Sequence, residues 1–170
     1  GVGEATVPPI VDFMRRLGLE ESEWMPACGA TYKSAIAFRD FHGGDEPKTW
    51  FPFESIEIFK GRPLNRYWLH KHFTDAAFAD RFSFYDYCHF VPALCDAGRT
   101  VAAFPEAKYA YHFDAGRFGD FLKRFAVDEG VTHVVDTIES VERAPDGSIE
   151  SLKRRSGEPL AADLFVDCSG

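Results

Sequence analysis

The sequence predicts a mixed α/β chain of the α+β kind, on three observations. Apolar residues recur at helical spacing in two stretches that each close on a glycine, residues 6–18 and 114–130. Alternation marks a strand at "GATYKSAIAF" and a strand–turn–strand pair around "PDGS". The chain has 170 residues, 45% hydrophobic and 27% charged, enough for one domain with a core.

The elements follow in chain order. "GVGEATVPPIVDFMRRLGL" opens as a glycine-rich loop, with Thr6 as the expected helix cap and Pro8 and Pro9 in the first turn. Ile10, Phe13, Met14 and Leu17 give the helical stripe, and Gly18 ends it. "EESEWMPACG" reads as a connector before the strand "GATYKSAIAF". A period of two puts Lys33 with Ala35 and Ala37, opposite Tyr32, Ile36 and Phe38. Two readings of Lys33 stand: a solubilising residue on an edge strand, or an amine projecting into space that the alanines leave.

"HGGDEPKT" is turn-rich, and "WFPFESIEIFKGRP" is aromatic and irregular, with a short extended piece. "LNRYWLHKHF" and "DAAFADRF" predict helices; "SFYDYCHFVPALCDAGRT" is mixed. An extended "YAYHF" then leads into a helix capped by Asp114, with the stripe Phe118, Phe121, Leu122 and Phe125, closed at Gly130. "THVVDTIESVERA" and "IESLKRRS" form a hairpin, and "LAADLFVDCSG" predicts a buried strand ending in Ser-Gly. Helix, antiparallel meander, then an apolar strand into a glycine turn is how the FAD-binding domain of glutathione-reductase-like flavoproteins continues after its first βαβ unit. By this topological analogy the chain is part of an FAD-binding doubly wound fold.

A net charge of −8 argues against nucleic acid and anionic membrane as partners. No apolar run reaches the length of a membrane span, and no signal peptide is expected. Cys28, Cys88, Cys95 and Cys168 are scattered without a CxxC pair, and read as reduced thiols of a cytoplasmic protein. Cys88, His89 and Cys95 fit no common zinc spacing. The aromatic content is unusual: 17 Phe, 6 Tyr and 3 Trp, most of them between Tyr32 and Phe90. The start at Gly1 and the stop at "LFVDCSG" both read as cuts, so the chain is expected to be a slice of a longer protein.

Four stretches, in order, resemble the flavin-dependent tryptophan halogenase family: "GVGEATVPPI", "EWMPACGATYKSAIAF", "AYHFDAGRFGDFLKRFAVDEGV" and "ADLFVDCSG". The resemblance covers essentially the whole chain. It implies an enzyme in which reduced FAD and O2 convert chloride or bromide to hypohalous acid. That acid reaches an active-site lysine, which directs halogen onto an electron-rich aromatic carbon. Lys33 matches the family lysine. Gly1, Val2, Gly3, Glu4, Ala5, Thr6 and Pro8 match the mobile segment over the flavin, and Asp167, Cys168, Ser169 and Gly170 the strand end that approaches FAD. Residues 1–27 are then the flavin-covering loop and first helix, 28–108 the lysine strand and aromatic-rich substrate side, and 109–170 the helix, meander and terminal strand of an incomplete FAD domain.

An enclosed amine is disfavoured in its charged form, so it can be halogenated, or it can stay cationic and polarise hypohalous acid. Glu4 is either a site acid or a helix-start acid interacting with the dipole. Trp50, Phe51 and Phe53 fall where the family builds its indole pocket, or they are an aromatic core. His70, His72, His89 and His112 read as surface or core histidines. Phe51 stands in "WFPF" where tryptophan-specific members carry a histidine in "YH.F", which leaves indoles, phenols or other aromatics open as substrates. The resemblance also implies a separate flavin reductase, leaves a homodimer open, and places a dinucleotide fingerprint before Gly1 and a Trp-x-Trp-x-Ile-Pro motif and a proton-accepting glutamate after Gly170. The slice alone is therefore expected to be inactive. The alternative is an FAD-dependent aromatic hydroxylase, which needs no lysine at a distance from the flavin; a non-enzymatic alternative is a flavin-binding or protein-docking module.

Overall fold

The computed structural model describes residues 3–41, 43, 48–100, 104 and 108–168. Two compact units emerge, Gly1–Arg124 and Phe125–Gly170.

The first unit opens with a difference from expectation. Gly3–Ala5 is a strand, β1, rather than part of a loop. Thr6 does not cap the helix that follows. Its amide and hydroxyl both donate to the Tyr111 carbonyl, at 3.0 and 2.9 Å, and its hydroxyl accepts from the Tyr111 amide at 3.0 Å. The side chain thus completes strand pairing, and Pro8 stands at the N-cap of helix α1, Pro9–Arg16. Met14 and Val11 face the core, while Phe13 is half exposed, so the buried stripe is narrower than the spacing predicts.

The predicted connector is a helix, α2 (Glu21–Cys28), ended by Gly29 in the left-handed region at φ 60°. Pro26 lies inside it and removes one amide donor. Packing outweighs that loss, because Trp24 and Cys28, one turn apart, are both fully buried.

The strand around Lys33 is two strands. β2 (Thr31–Lys33) and β3 (Ala35–Arg39) part at Ser34, whose carbonyl accepts from the Phe53 amide at 3.1 Å. β3 pairs with β4 (Lys48–Pro52), Ile36 opposite Phe51 and Ala37 opposite Trp50. Ala35 and Ala37 therefore belong to a different sheet from Lys33, and the simple alternation that grouped the three residues does not hold across the break.

A small hairpin, β5 (Ile58–Phe59) and β6 (Arg62–Pro63), turns through Lys60 and Gly61 at φ 47° and 75°, the paired positive angles of a type I′ turn. Helices α3 (Leu64–Thr74) and α4 (Ala76–Arg81) match the prediction. The mixed stretch resolves into α5 (Phe84–Cys88), capped by Ser83, and α6 (Val91–Asp96). Glu54 Oε1 accepts from the Phe90 and Val91 amides at the start of α6, both at 3.1 Å, and lies 3.2 Å from His89 Nδ1. Much of the aromatic excess packs against itself here: Trp68 meets Phe84 edge-on at 5.3 Å, and Phe78 meets Tyr87 at 5.2 Å.

β7 (Ala110–Asp114) is the central strand of an antiparallel sheet of order β1-β7-β2. It leads into helix α7 (Ala115–Asp128), capped as predicted by Asp114, whose Oδ1 accepts from the Arg117 amide at 2.9 Å. Gly130 follows the helix at φ 93°.

The second unit is a hairpin, β8 (Ile138–Arg143) and β9 (Ile149–Arg154), with bulges in its register. Leu160 adds an antiparallel bridge to Leu152. The predicted buried strand does not form: residues 161–168 carry no regular structure, and Leu164 and Val166 are 78% and 75% exposed. An all-apolar strand is stable only where neighbours pair with its edges and cover its faces, and residues 125–168 supply that single bridge. Every strand pairing among the described residues is antiparallel.

Candidate functional site

The three-stranded sheet has two chemically different faces. Pairing Tyr32 with Tyr111, and Glu4 with Phe113, puts these side chains on one face, where Trp24 of α2 closes the core. The other face carries Gly3 opposite Asp114, Ala5 and Thr31 opposite His112, and Lys33 opposite Ala110. The parity of β2 therefore sends Lys33 away from the aromatic core.

Lys33 is nonetheless only 9% exposed. Its Nζ donates to the Thr6 carbonyl at 2.8 Å and lies 5.5 Å from the centre of the Phe53 ring. Lys33 makes no ion pair among the described residues. Burial therefore pushes its pKa below the ordinary lysine value, with no carboxylate to raise it. On the same face, burial and then the Lys33 charge lower the pKa of His112.

The remaining predicted residues divide. Gly3, Glu4 and Ala5 line an open cavity of about 460 Å³ together with Gly29, Thr31, His112, Phe113 and Asp114. Glu4 sits in β1, not at a helix start, so the helix-dipole reading of it fails. Thr6 meets Lys33 directly, and Pro8 begins α1. Phe53 is buried beside the amine and meets Phe51 edge-on at 6.3 Å, with Phe51 59% exposed. Trp50 alternates to the opposite face of β4, under the Lys48 amine at 4.6 Å. Asp167 is exposed in the second unit, and Gly1, Val2 and Gly170 lie outside the described residues. Among the described residues no group of three or more His, Cys, Asp or Glu side chains is placed to hold a metal ion.

Sequence reasoning missed one cluster. Glu21, at the start of α2, accepts three phenol hydroxyls: Tyr32 on Oε2 at 2.7 Å, and Tyr109 and Tyr111 on Oε1 at 2.6 and 2.7 Å. The signal was present in "YAYHF" and "TYK", where tyrosines share the parity of the core face. A buried phenol needs an acceptor, and Glu21 is the acid within reach. Burial alone would raise the Glu21 pKa; the three hydroxyls outweigh it and hold the carboxyl below its ordinary 4.5. The hydrogen bond to Glu21, then burial, pushes Tyr32 from 10.0 up to about 12.

The signs fix a pH window. A lowered carboxyl pKa stabilises the fold above 4.5 and loses that contribution as pH falls through the folded value. A raised phenol pKa stabilises below 10.0 and loses it between 10.0 and about 12. Unfolding midpoints of the wild type and Glu21→Gln, measured against pH, should differ most between these limits and converge outside them. A constant difference across the range would remove the charge-assisted cluster as the cause.

A model of the tryptophan halogenase family matches residues 1–170. The chain belongs to the tryptophan halogenase family. As a member, it is 38% identical to tryptophan 7-halogenase RebH of Lentzea aerocolonigenes, over 100% of this chain and 35% of that protein. It is 34% identical to tryptophan 6-halogenase SttH of Streptomyces toxytricini, over 100% of this chain and 36% of that one. The fold superposes on Xcc4156, a flavin-dependent halogenase of Xanthomonas campestris, with TM-score 0.87 and 35% identity, covering 100% of this chain and 34% of the other. This halogenase-family chain thus spans about a third of the length of the relatives it matches. No described helix is long and apolar enough to cross a membrane.

Proposed function

We propose that this chain is the lysine-bearing part of a cytoplasmic flavin-dependent halogenase, acting on an electron-rich aromatic: tryptophan, an indole or a related ring. In this reading it belongs to a doubly wound FAD-binding fold whose remainder lies outside residues 1–170, with residues 28–108 as the substrate side. FADH2 comes from a separate reductase, and chloride or bromide is the co-substrate.

The residues present fit a flavin. The cavity against β1 is within the roughly 300–1,000 Å³ usual for small-ligand sites, and Gly3 and Ala5 keep its wall low. Gly3 is not in the left-handed region, and a Cβ there would meet only the Phe113 carbonyl at 4.0 Å. The chain's own packing does not demand glycine at this position; close approach of a flat ligand gives it a reason. Gly1, Val2, Gly3, Glu4, Ala5, Thr6 and Pro8, with Asp167 and Gly170, are the residues that would hold FAD. Bound as FADH2, the cofactor would activate O2, and O2 would supply the oxidising equivalents that turn halide into hypohalous acid.

Lys33 receives that acid. With its pKa lowered by burial, a larger fraction of the amine is neutral, and a neutral Nζ can displace water from hypohalous acid to become a haloamine. A protonated Nζ instead donates to the acid's oxygen and polarises the oxygen–halogen bond. In both routes the halogen passes to a ring carbon, and the carbon's proton leaves to a base. Phe53, beside the amine, and Phe51 next to it offer faces for the substrate ring. Trp50 then supports the β3–β4 hairpin from its other side.

The observation that carries this reading is a buried lysine amine held by one backbone carbonyl, with no carboxylate pairing it among the described residues. The full-length protein, given FADH2, O2, bromide or chloride and a panel of indoles and phenols, is expected to yield halogenated product by mass spectrometry. Hydroxylated product in its place, with no halogenation anywhere in the panel, would overturn the assignment in favour of the hydroxylase.

A further inference from the structure

We infer that Glu21 is a positioning residue for Lys33, acting through two tyrosines from the far face of the sheet; this rests on the halogenase reading above. Two arms run from the Glu21 carboxylate to the amine. The first is short: Oε2 takes the Tyr32 hydroxyl, and Tyr32 is the chain neighbour of Lys33 in β2. The second crosses the sheet: Oε1 takes the Tyr111 hydroxyl, the Tyr111 backbone makes three hydrogen bonds with Thr6, and the Thr6 carbonyl accepts from Lys33 Nζ. One arm fixes where the lysine backbone lies and the other fixes the atom its amine docks on. Tyr32 and Tyr111 are also partners in register, so both arms load the same rung of the β2–β7 ladder.

The arrangement answers a conflict. A lysine side chain has many rotamers, and a reacting group displaced by about 1 Å can lose on the order of 100-fold in rate. The strongest way to hold an amine is a carboxylate beside it, but that pairing favours the charged amine and blocks its lone pair. Here the carboxylate stays on the opposite face, its charge is taken up by three phenols, and among the described residues Nζ hydrogen-bonds to backbone oxygen rather than to a carboxylate. The lysine is placed by an acid that does not pair with it.

The test uses the full-length enzyme and reads how oxidised halogen is partitioned. Halogenated aromatic per FADH2 consumed is measured alongside free hypohalous acid, trapped by an added β-diketone. In Glu21→Gln the product yield should fall about 10-fold, the trapped fraction should rise to match, and FADH2 oxidation should keep its rate. Tyr32→Phe, a milder change, should shift the same ratio in the same direction by a smaller factor. Glu21→Gln and Tyr32→Phe both lowering FADH2 oxidation and product in parallel, with the ratio unchanged, would overturn the positioning role and leave only a stability role. An unchanged ratio at full FADH2 oxidation would overturn it as well. Failure of the underlying reading looks different: Lys33→Ala would then keep the wild-type ratio.

Discussion

Lys33→Ala in the full-length enzyme is expected, on the proposed function, to lower halogenated product by on the order of 10³-fold while FADH2 oxidation continues, because that reading places the amine's interaction at the reacting atom. The halogen oxidised in each turnover should leave as free hypohalous acid. The stability effect should run the other way for Lys33→Met. The amine is 9% exposed, bonded to one carbonyl, and its pKa is lowered by burial, so its charged form is held at a cost. An apolar chain of similar length removes that cost, since burying a charge without a counter-ion is worse than burying a hydrocarbon. The thermal midpoint of Lys33→Met should therefore equal or exceed that of the wild type, measured by scanning calorimetry. Inactivation with a clear drop in midpoint would mean that Lys33 is a structural residue; product formation at the wild-type rate would end its catalytic assignment.

Trp24→Ala is expected to give the largest loss of stability, about 3–5 kcal/mol by the usual cost of emptying a buried tryptophan site. Trp24 is fully buried and meets Tyr111, Phe113 and Phe118, at 4.6, 6.1 and 5.9 Å, all edge-on. These contacts tie α2, β7 and α7 together at the core. Its indole nitrogen has no hydrogen-bond partner among the described residues, so the ring acts by volume and contact alone. Trp24→Phe should accordingly cost much less, within about 1.5 kcal/mol where the cavity is partly refilled. Urea unfolding of the two variants separates these values. Equal losses in both would point to a hidden bond at the indole nitrogen rather than to packing.

Some of this was legible in the residues. Asp114 as a cap, Gly18 and Gly130 as stops, and the "PDGS" turn are local devices, and each works within a few residues of chain. Lys33 was legible as out of place. The failures share a cause. Thr6 follows the rule for a helix cap, yet its hydroxyl serves Tyr111, more than a hundred residues away in sequence. "EESEWMPACG" reads as a connector, yet burial of Trp24 and Cys28 keeps it helical through Pro26. "LAADLFVDCSG" reads as a strand, but a strand forms only against partners, and its own unit offers one bridge.

By itself the sequence determined the family, the odd lysine and the local starts and stops of its helices, because these depend on residue identity and near neighbours. Only the tertiary structure decided that the strand breaks at Ser34, that Thr6 and Phe53 rather than Ala35 and Ala37 surround the amine, and that one glutamate gathers three tyrosines behind it. Those outcomes turn on which strands pair and in what register, and pairing across long stretches of chain is settled by packing energy that no local pattern encodes.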